Sequence, residues 1–158
     1  MDPIPFSSQS ELQQVAPVAA VAVVHALRPE ESVLLIRRAS RNDDPWSGQW
    51  SFPGGRRDPQ DRDLLDTALR ELREECAVQL TRAQCVGPLQ VMHAGRSSGR
   101  LVPVAPYLFQ VDTPVATLVN EREAAESQWL LFFFFIDRAS NEIYTGPGIP
   151  AGMRVPGI

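Results

Sequence analysis

Glu71, Glu74 and Glu75 stand within a single short stretch of chain, one loop downstream of the glycine pair Gly54–Gly55. At about 100° per residue, a helix carries all three on one face. Carboxylates so close raise each other's cost of ionisation unless water screens them, one takes a proton, or a cation binds. Their oxygens suit the hard cations Mg²⁺, Ca²⁺ and Mn²⁺. No histidine lies nearby to complete a zinc site. The plain alternative is a solvated helix face, the usual fate of a charge run. The glycines weigh against it, because backbone without a side chain can approach a ligand closely and offer a carbonyl oxygen. Taken alone, "PGG" is a turn.

The elements around this stretch must position it. Within the helix, Leu65, Ala68, Leu69, Leu72 and Cys76 recur at three- and four-residue spacing and fill the apolar face. The glutamates fall on the adjacent face. Asp61 is a plausible N-cap, and Asp66 can pair with Arg70 four residues on. Upstream, residues 15–27 read as a buried strand and 33–40 as a second, joined by "RPEES" into a hairpin. "RNDDPWSGQ" and "RRDPQD" are loops on either side of the short apolar segment "WSFPGG". Downstream, "QCVGPLQVMHA" and "LVPVAPYLFQVD" read as strands joined by a turn at "GRSSGR". "NEREAAESQ" is a loop or a short helical turn, and "WLLFFFFID" a last strand or helix entry. Several strands around one strong helix give an α/β or α+β class with a mixed sheet.

Bulk properties narrow the function classes. The chain has 158 residues, 44% hydrophobic and 22% charged, which suits one globular domain over 15–158 behind a loose segment at 1–14. A formal net charge of -4 argues against a broad nucleic-acid footprint. Cys76 and Cys85 have no disulfide framework around them and read as reduced thiols. "MDPIPFSSQSELQQ" lacks the basic start and apolar run of a secretory signal, and no apolar run approaches the ~20 residues of a membrane span. A cytoplasmic protein is the expectation. Trp46, Trp50 and Trp129 are read as core as readily as base-stacking platforms. His25 and His93 are isolated and expected to be neither ligands nor bases. Phe132–Phe135 cannot all face one way in a strand, so burial on both sides or cover by a partner is expected.

With these residues in place, "GGRRDPQDRDLLDTALRELREECAV" resembles the signature of the Nudix hydrolases. Arg70, Glu71, Leu72, Glu74, Glu75 and Val78 match it position for position. Ala77 stands where the family usually has glycine, and is expected to be tolerated at a right-handed helix end. The family's glutamate five residues after the glycine is Asp61 here, and eight residues rather than seven separate it from Arg70. That longer spacing, together with "LLIRRAS" upstream, is similar to the coenzyme A diphosphatase branch, though "RNDDPWSGQW" matches its loop only loosely.

The resemblance implies a Nudix-type α/β/α sandwich with a mixed central sheet. It also implies hydrolysis of a nucleoside diphosphate linked to another group, X. Glu71, Glu74 and Glu75 would bind Mg²⁺ or Mn²⁺, with the Gly54 carbonyl as a further ligand. Arg70 would orient a glutamate by a charge-assisted hydrogen bond. The general base is Glu71 or an acid of the downstream "NEREAAESQW" segment, where Glu123 is preferred to Glu121 and Glu126. Substrate phosphates would meet Arg37, Arg38, Arg56 or Arg57, Arg56 first among them, with Gly55 lining the same site. The partner is then a small nucleotide derivative: coenzyme A or its acyl forms, ADP-ribose, a dinucleoside polyphosphate or a damaged nucleotide. A Nudix-fold binding module without catalysis is the competing class. The Gly- and Pro-rich tail after the phenylalanines suggests a C-terminal strand and helix absent, shortened or replaced by contact in a homodimer.

Overall fold

The computed structural model describes residues 16–43, 47–94 and 102–131. Its elements follow in chain order: β1 (Ala19–Ala26), β2 (Ser32–Arg38), β3 (Trp50–Ser51), β4 (Gly54–Arg56), α1 (Leu64–Cys76), β5 (Cys85–Pro88), β6 (Met92–Ala94), β7 (Val102–Val111) and β8 (Ala124–Leu131). A single 3-10 turn, Arg82–Gln84, leads into β5. The expectations for residues 1–14, Trp46, Phe132–Phe135 and the tail lie outside the described residues.

The eight strands form one mixed sheet. β1 and β7 run parallel through eight residue pairs, from Ala19 beside Val104 to Ala26 beside Val111. All the other pairings are antiparallel. The expected β1–β2 hairpin forms, but it closes only at its turn, through His25–Val33 and Ala26–Ser32. Beyond that point the two strands part and the chain from Trp50 to Arg56 fills the gap. β3 pairs with β2, and β4 then crosses to pair with β1, setting Ala20 beside Gly55 and Val21 beside Gly54. Along β1 no room remains for a side chain on Gly54, since a Cβ there would lie 2.3 Å from the Ala20 carbonyl oxygen.

Period-two alternation splits the core across the sheet. Ala20, Ala22, Val24, Leu34, Ile36 and Phe109 face α1, where Ala68, Leu72 and Cys76 cover them. Val23, Val33, Leu35 and Leu130 face the other way with Trp50. Trp50 is buried there. Trp129 packs against the helix-side core and donates its indole N–H to the Val115 carbonyl.

Several local expectations change. "AAESQ" belongs to β8 rather than to a loop or helical turn, with the turn confined to Glu121–Glu123. The N-cap of α1 is Asp63, not Asp61: its carboxylate accepts the Asp66 N–H at 2.9 Å. Asp66 does not pair with Arg70; it pairs with Arg62 and Arg82. Ala77 does not continue a right-handed end. It takes φ 55° and ψ 27°, the left-handed cap that glycine adopts without strain.

Candidate functional site

The glutamate face of α1 meets β4 at one end of the sheet. The resulting cleft has a volume of about 300 Å³ and is lined by Arg38, Ala39, Arg41, Gly54, Gly55, Glu71, Glu74, Glu75 and Glu123. The sequence thus names Glu71, Glu74, Glu75, Gly54, Gly55 and Glu123, which the fold brings together from three separate segments.

The three helix glutamates sit in graded environments. Glu75 is 3% exposed, and its Oε1 accepts the Gly54 N–H at 2.8 Å. Burial pushes its carboxyl up to about 8, against the pull of that N–H, and the charges of Glu71 and Glu123 add to the rise. Glu71 is half-buried and also raised, first by desolvation, with Arg70 opposing and Glu74 and Glu123 reinforcing. Glu74 reaches furthest into solvent. Gly55 lies under Glu71, so close that a Cβ would come within 2.4 Å of Glu71 Oε1.

Arg70 organises this face from behind. Its Nη1 donates to Glu71 Oε1 and to Glu74 Oε2, each at 3.1 Å. Its Nη2 donates to the Arg56 carbonyl at 3.1 Å and to Asp61 Oδ2 at 2.9 Å. Asp61 is buried and also accepts the Thr67 hydroxyl and the Asp58 N–H, both at 2.9 Å. The Arg70 guanidinium, before all else, holds the Asp61 carboxyl down at about 2.

Glu123 comes from the turn before β8. Its N–H donates to the Asn120 carbonyl at 2.8 Å, and the Asn120 N–H donates to the Glu75 carbonyl at 3.0 Å. Ala39 N–H in turn donates to the Glu123 carbonyl at 3.0 Å. The turn is therefore pinned both to the end of α1 and to the segment after β2.

A bulge in the β2–β8 ladder falls between Arg37 and Arg38. Such a bulge re-aims side chains. Arg37 pairs with Glu126 at 3.2 Å and does not line the cleft, whereas Arg38 does. Arg56 is exposed at the end of β4 and is not among the lining residues either, and Arg57 turns to the carbonyls of Asp61 and Arg62. Sequence reading missed Arg41. The only available signal was a third arginine closely following Arg37 and Arg38 in "RRASR".

Four carboxylates in one cleft form a donor set of the kind hard divalent cations take. Burial is the first cause of the rise at Glu71 and Glu75, and the mutual charge that adds to it is what a cation would relieve. As they stand, no three acidic, histidine or cysteine side chains among the described residues converge on one point. Glu71 and Glu74 are turned onto Arg70 and Glu75 onto the Gly54 amide, so coordination calls for rotation into the cleft.

Residues 16–146 match the family model of the NUDIX domain. The chain belongs to the Nudix family. An uncharacterized Nudix hydrolase NudL of Yersinia enterocolitica is 38% identical over 128 residues, spanning 76% of this chain and 63% of that one. The chain spans between 51% and 63% of the length of the curated NudL relatives it matches. Two solved structures share the Nudix fold. The NUDIX domain of Shewanella oneidensis NrtR, cocrystallised with ADP ribose, has a TM-score of 0.61 at 20% identity, over 83% of this chain and 82% of that one. A C. elegans Ap4A hydrolase in a binary complex has a TM-score of 0.59 at 20% identity, over 77% and 85%. Among the described residues no helix is long and apolar enough to cross a membrane.

Proposed function

We propose that this Nudix chain is a divalent-cation-dependent hydrolase that cleaves the diphosphate bond of a nucleoside diphosphate linked to a second group. The observation that carries the reading is the convergence of Glu71, Glu74, Glu75 and Glu123 with Gly54 and Gly55 on one cleft. Glu71, Glu74 and Glu75 are the residues to hold Mg²⁺ or Mn²⁺, with the Gly54 carbonyl as a further donor. The bound cation supplies charge neutralisation at the phosphate oxygens and acidifies a coordinated water.

The chain's own groups do the rest. Arg70 is a positioning residue, bonded to Glu71 and Glu74 on one side and to buried Asp61 on the other. Glu123 and Glu71 are the candidates to accept the proton of the attacking water, and Glu123 is preferred because it faces the helix glutamates from a separate element. Gly55 leaves space beside Glu71 that any side chain would fill.

Coenzyme A or an acyl derivative is the substrate favoured by the longer spacing between Asp61 and Arg70 and by "LLIRRAS". The test is a product-mapping screen with Mg²⁺ and with Mn²⁺ over coenzyme A, ADP-ribose and dinucleoside polyphosphates. Release of the two halves of coenzyme A at the greatest kcat/KM is the expected result. Preference for ADP-ribose or a dinucleoside polyphosphate replaces the substrate and keeps the reaction. Binding without turnover of any compound replaces the hydrolase with a binding module.

A further inference from the structure

Arg41 has no role in the reading above, yet it lines the same cleft as the glutamates. Its backbone is fixed by one side chain: the Ser47 hydroxyl accepts the Arg41 N–H at 2.6 Å and donates to the Arg41 carbonyl at 2.6 Å. The loop closes at its base where Gly48 N–H meets the Arg38 carbonyl at 3.1 Å and Arg38 N–H meets the Gln49 carbonyl at 2.9 Å. From that loop the Arg41 guanidinium reaches across to the carbonyl of Arg122, beside Glu123.

That acceptor is neutral. Arg37, Arg62, Arg70 and Arg82 are each tied to a carboxylate. Among the described residues no carboxylate pairs with Arg41. A guanidinium carries five N–H donors in a planar fork suited to phosphate oxygens. One Arg122 carbonyl cannot use them all.

We propose that Arg41 is the anion-binding arm of the cleft and takes phosphate oxygens of the ligand's diphosphate. The inference rests on reading the cleft as a nucleoside diphosphate site. It assigns Arg41 to the side of the cleft formed by the residues after β2, and Glu71, Glu74 and Glu75 to the side formed by α1.

The test is calorimetric titration of the full chain, in Mg²⁺, with the non-hydrolysable α,β-methylene-ADP. Adenosine, which has no phosphate, is the control. Arg41→Ala is expected to weaken α,β-methylene-ADP about tenfold, the loss of a charge-assisted contact, and to leave adenosine binding as in the wild type. Arg41→Lys should recover part of the loss, since it restores charge without the fork. Ser47→Ala keeps every charge and should weaken the same ligand by a smaller factor, which guards against a merely misfolded Arg41→Ala. Equal binding of α,β-methylene-ADP by wild type and Arg41→Ala overturns the proposal. So does an equal loss for adenosine, or a wild type that does not bind α,β-methylene-ADP. A wild type that binds it through Arg41 but hydrolyses nothing leaves the arm in place and removes the hydrolase.

Discussion

Arg70 grips Asp61 with two parallel contacts, Nε to Oδ1 at 3.0 Å and Nη2 to Oδ2 at 2.9 Å, at a position where the carboxylate is 6% exposed. Arg70 keeps Glu71 and Glu74 as partners when this charge is removed, so the loss is that of the Asp61 pairing itself. Asp61→Asn should therefore lower stability at pH 7 by about 2 kcal/mol. Folding depresses the Asp61 carboxyl from 3.8 to about 2, so its stabilisation is complete above about pH 4 and lost as pH falls through about 2. Urea unfolding of both proteins at several pH values checks this. A gap between them that is as wide near pH 2 as at pH 7 contradicts the assignment.

Ala77 carries a Cβ in a conformation suited to glycine. Ala77→Gly should stabilise the protein by about 1 kcal/mol, which at this size raises Tm by about 2–4 °C. The side chain is exposed, so little packing is lost in exchange. A lowered Tm would show that the chain has relaxed the strain by other means.

The two glycines should fail differently when given a methyl group. At Gly54 the new Cβ meets the main chain of Ala20 and Val21, which cannot yield without breaking the β1–β4 pairing. At Gly55 its nearest neighbours are the atoms of the Glu71 carboxylate, the far end of a flexible side chain. Gly54→Ala should unfold the domain or cut its Tm sharply. Gly55→Ala should keep Tm nearly unchanged while turnover falls with displacement of Glu71. Thermal melts and kcat measured together separate the two outcomes.

Glu74 is the least buried of the three helix glutamates, so its loss should touch chemistry more than folding. Glu74→Gln is expected to reduce turnover at least about a hundredfold, the upper range seen when even an outer partner of a metal site is removed. Its circular dichroism spectrum should match the wild type. Near-normal turnover would take Glu74 out of the ligand set.

Burial raises Glu75 from 4.5 to about 8, the opposite direction from Asp61. The unfolded chain then releases this proton more readily than the folded one. Without added cation, stability should fall on this account as pH rises from about 4.5 towards about 8. Glu75→Gln should lack that decline. Melting curves in a chelator at stepped pH decide the point, and identical slopes for the two proteins would refute it.

The helix and its glutamates were legible in the sequence because a 3.6-residue period orders both an apolar and an acidic face without outside help. Glu123 was legible only through resemblance, since nothing local marks it among Glu121, Glu123 and Glu126. The capping role was misplaced by two residues because Asp61 and Asp63 are chemically alike. What separates them is the distant partner: Arg70 draws Asp61 inward, while Arg82 pairs with Asp63 at the helix start. Arg37 and Arg38 are likewise adjacent and alike; as successive strand residues they point to opposite faces, and only the tertiary pairing decides which of them meets the cleft. The parallel pairing of β1 with β7 left no local trace, since neither strand's composition names its neighbour.

That parallel ladder also governs when the protein can assemble. Each β1–β7 pair joins residues 85 positions apart. Pairings of such long sequence separation slow folding relative to local helices and hairpins. During synthesis α1 and the glycine loop leave the ribosome well before Val111, so the acidic helix can coil while one edge of β1 still has no neighbour. In that interval the open edge is the segment most exposed to pairing with the wrong chain.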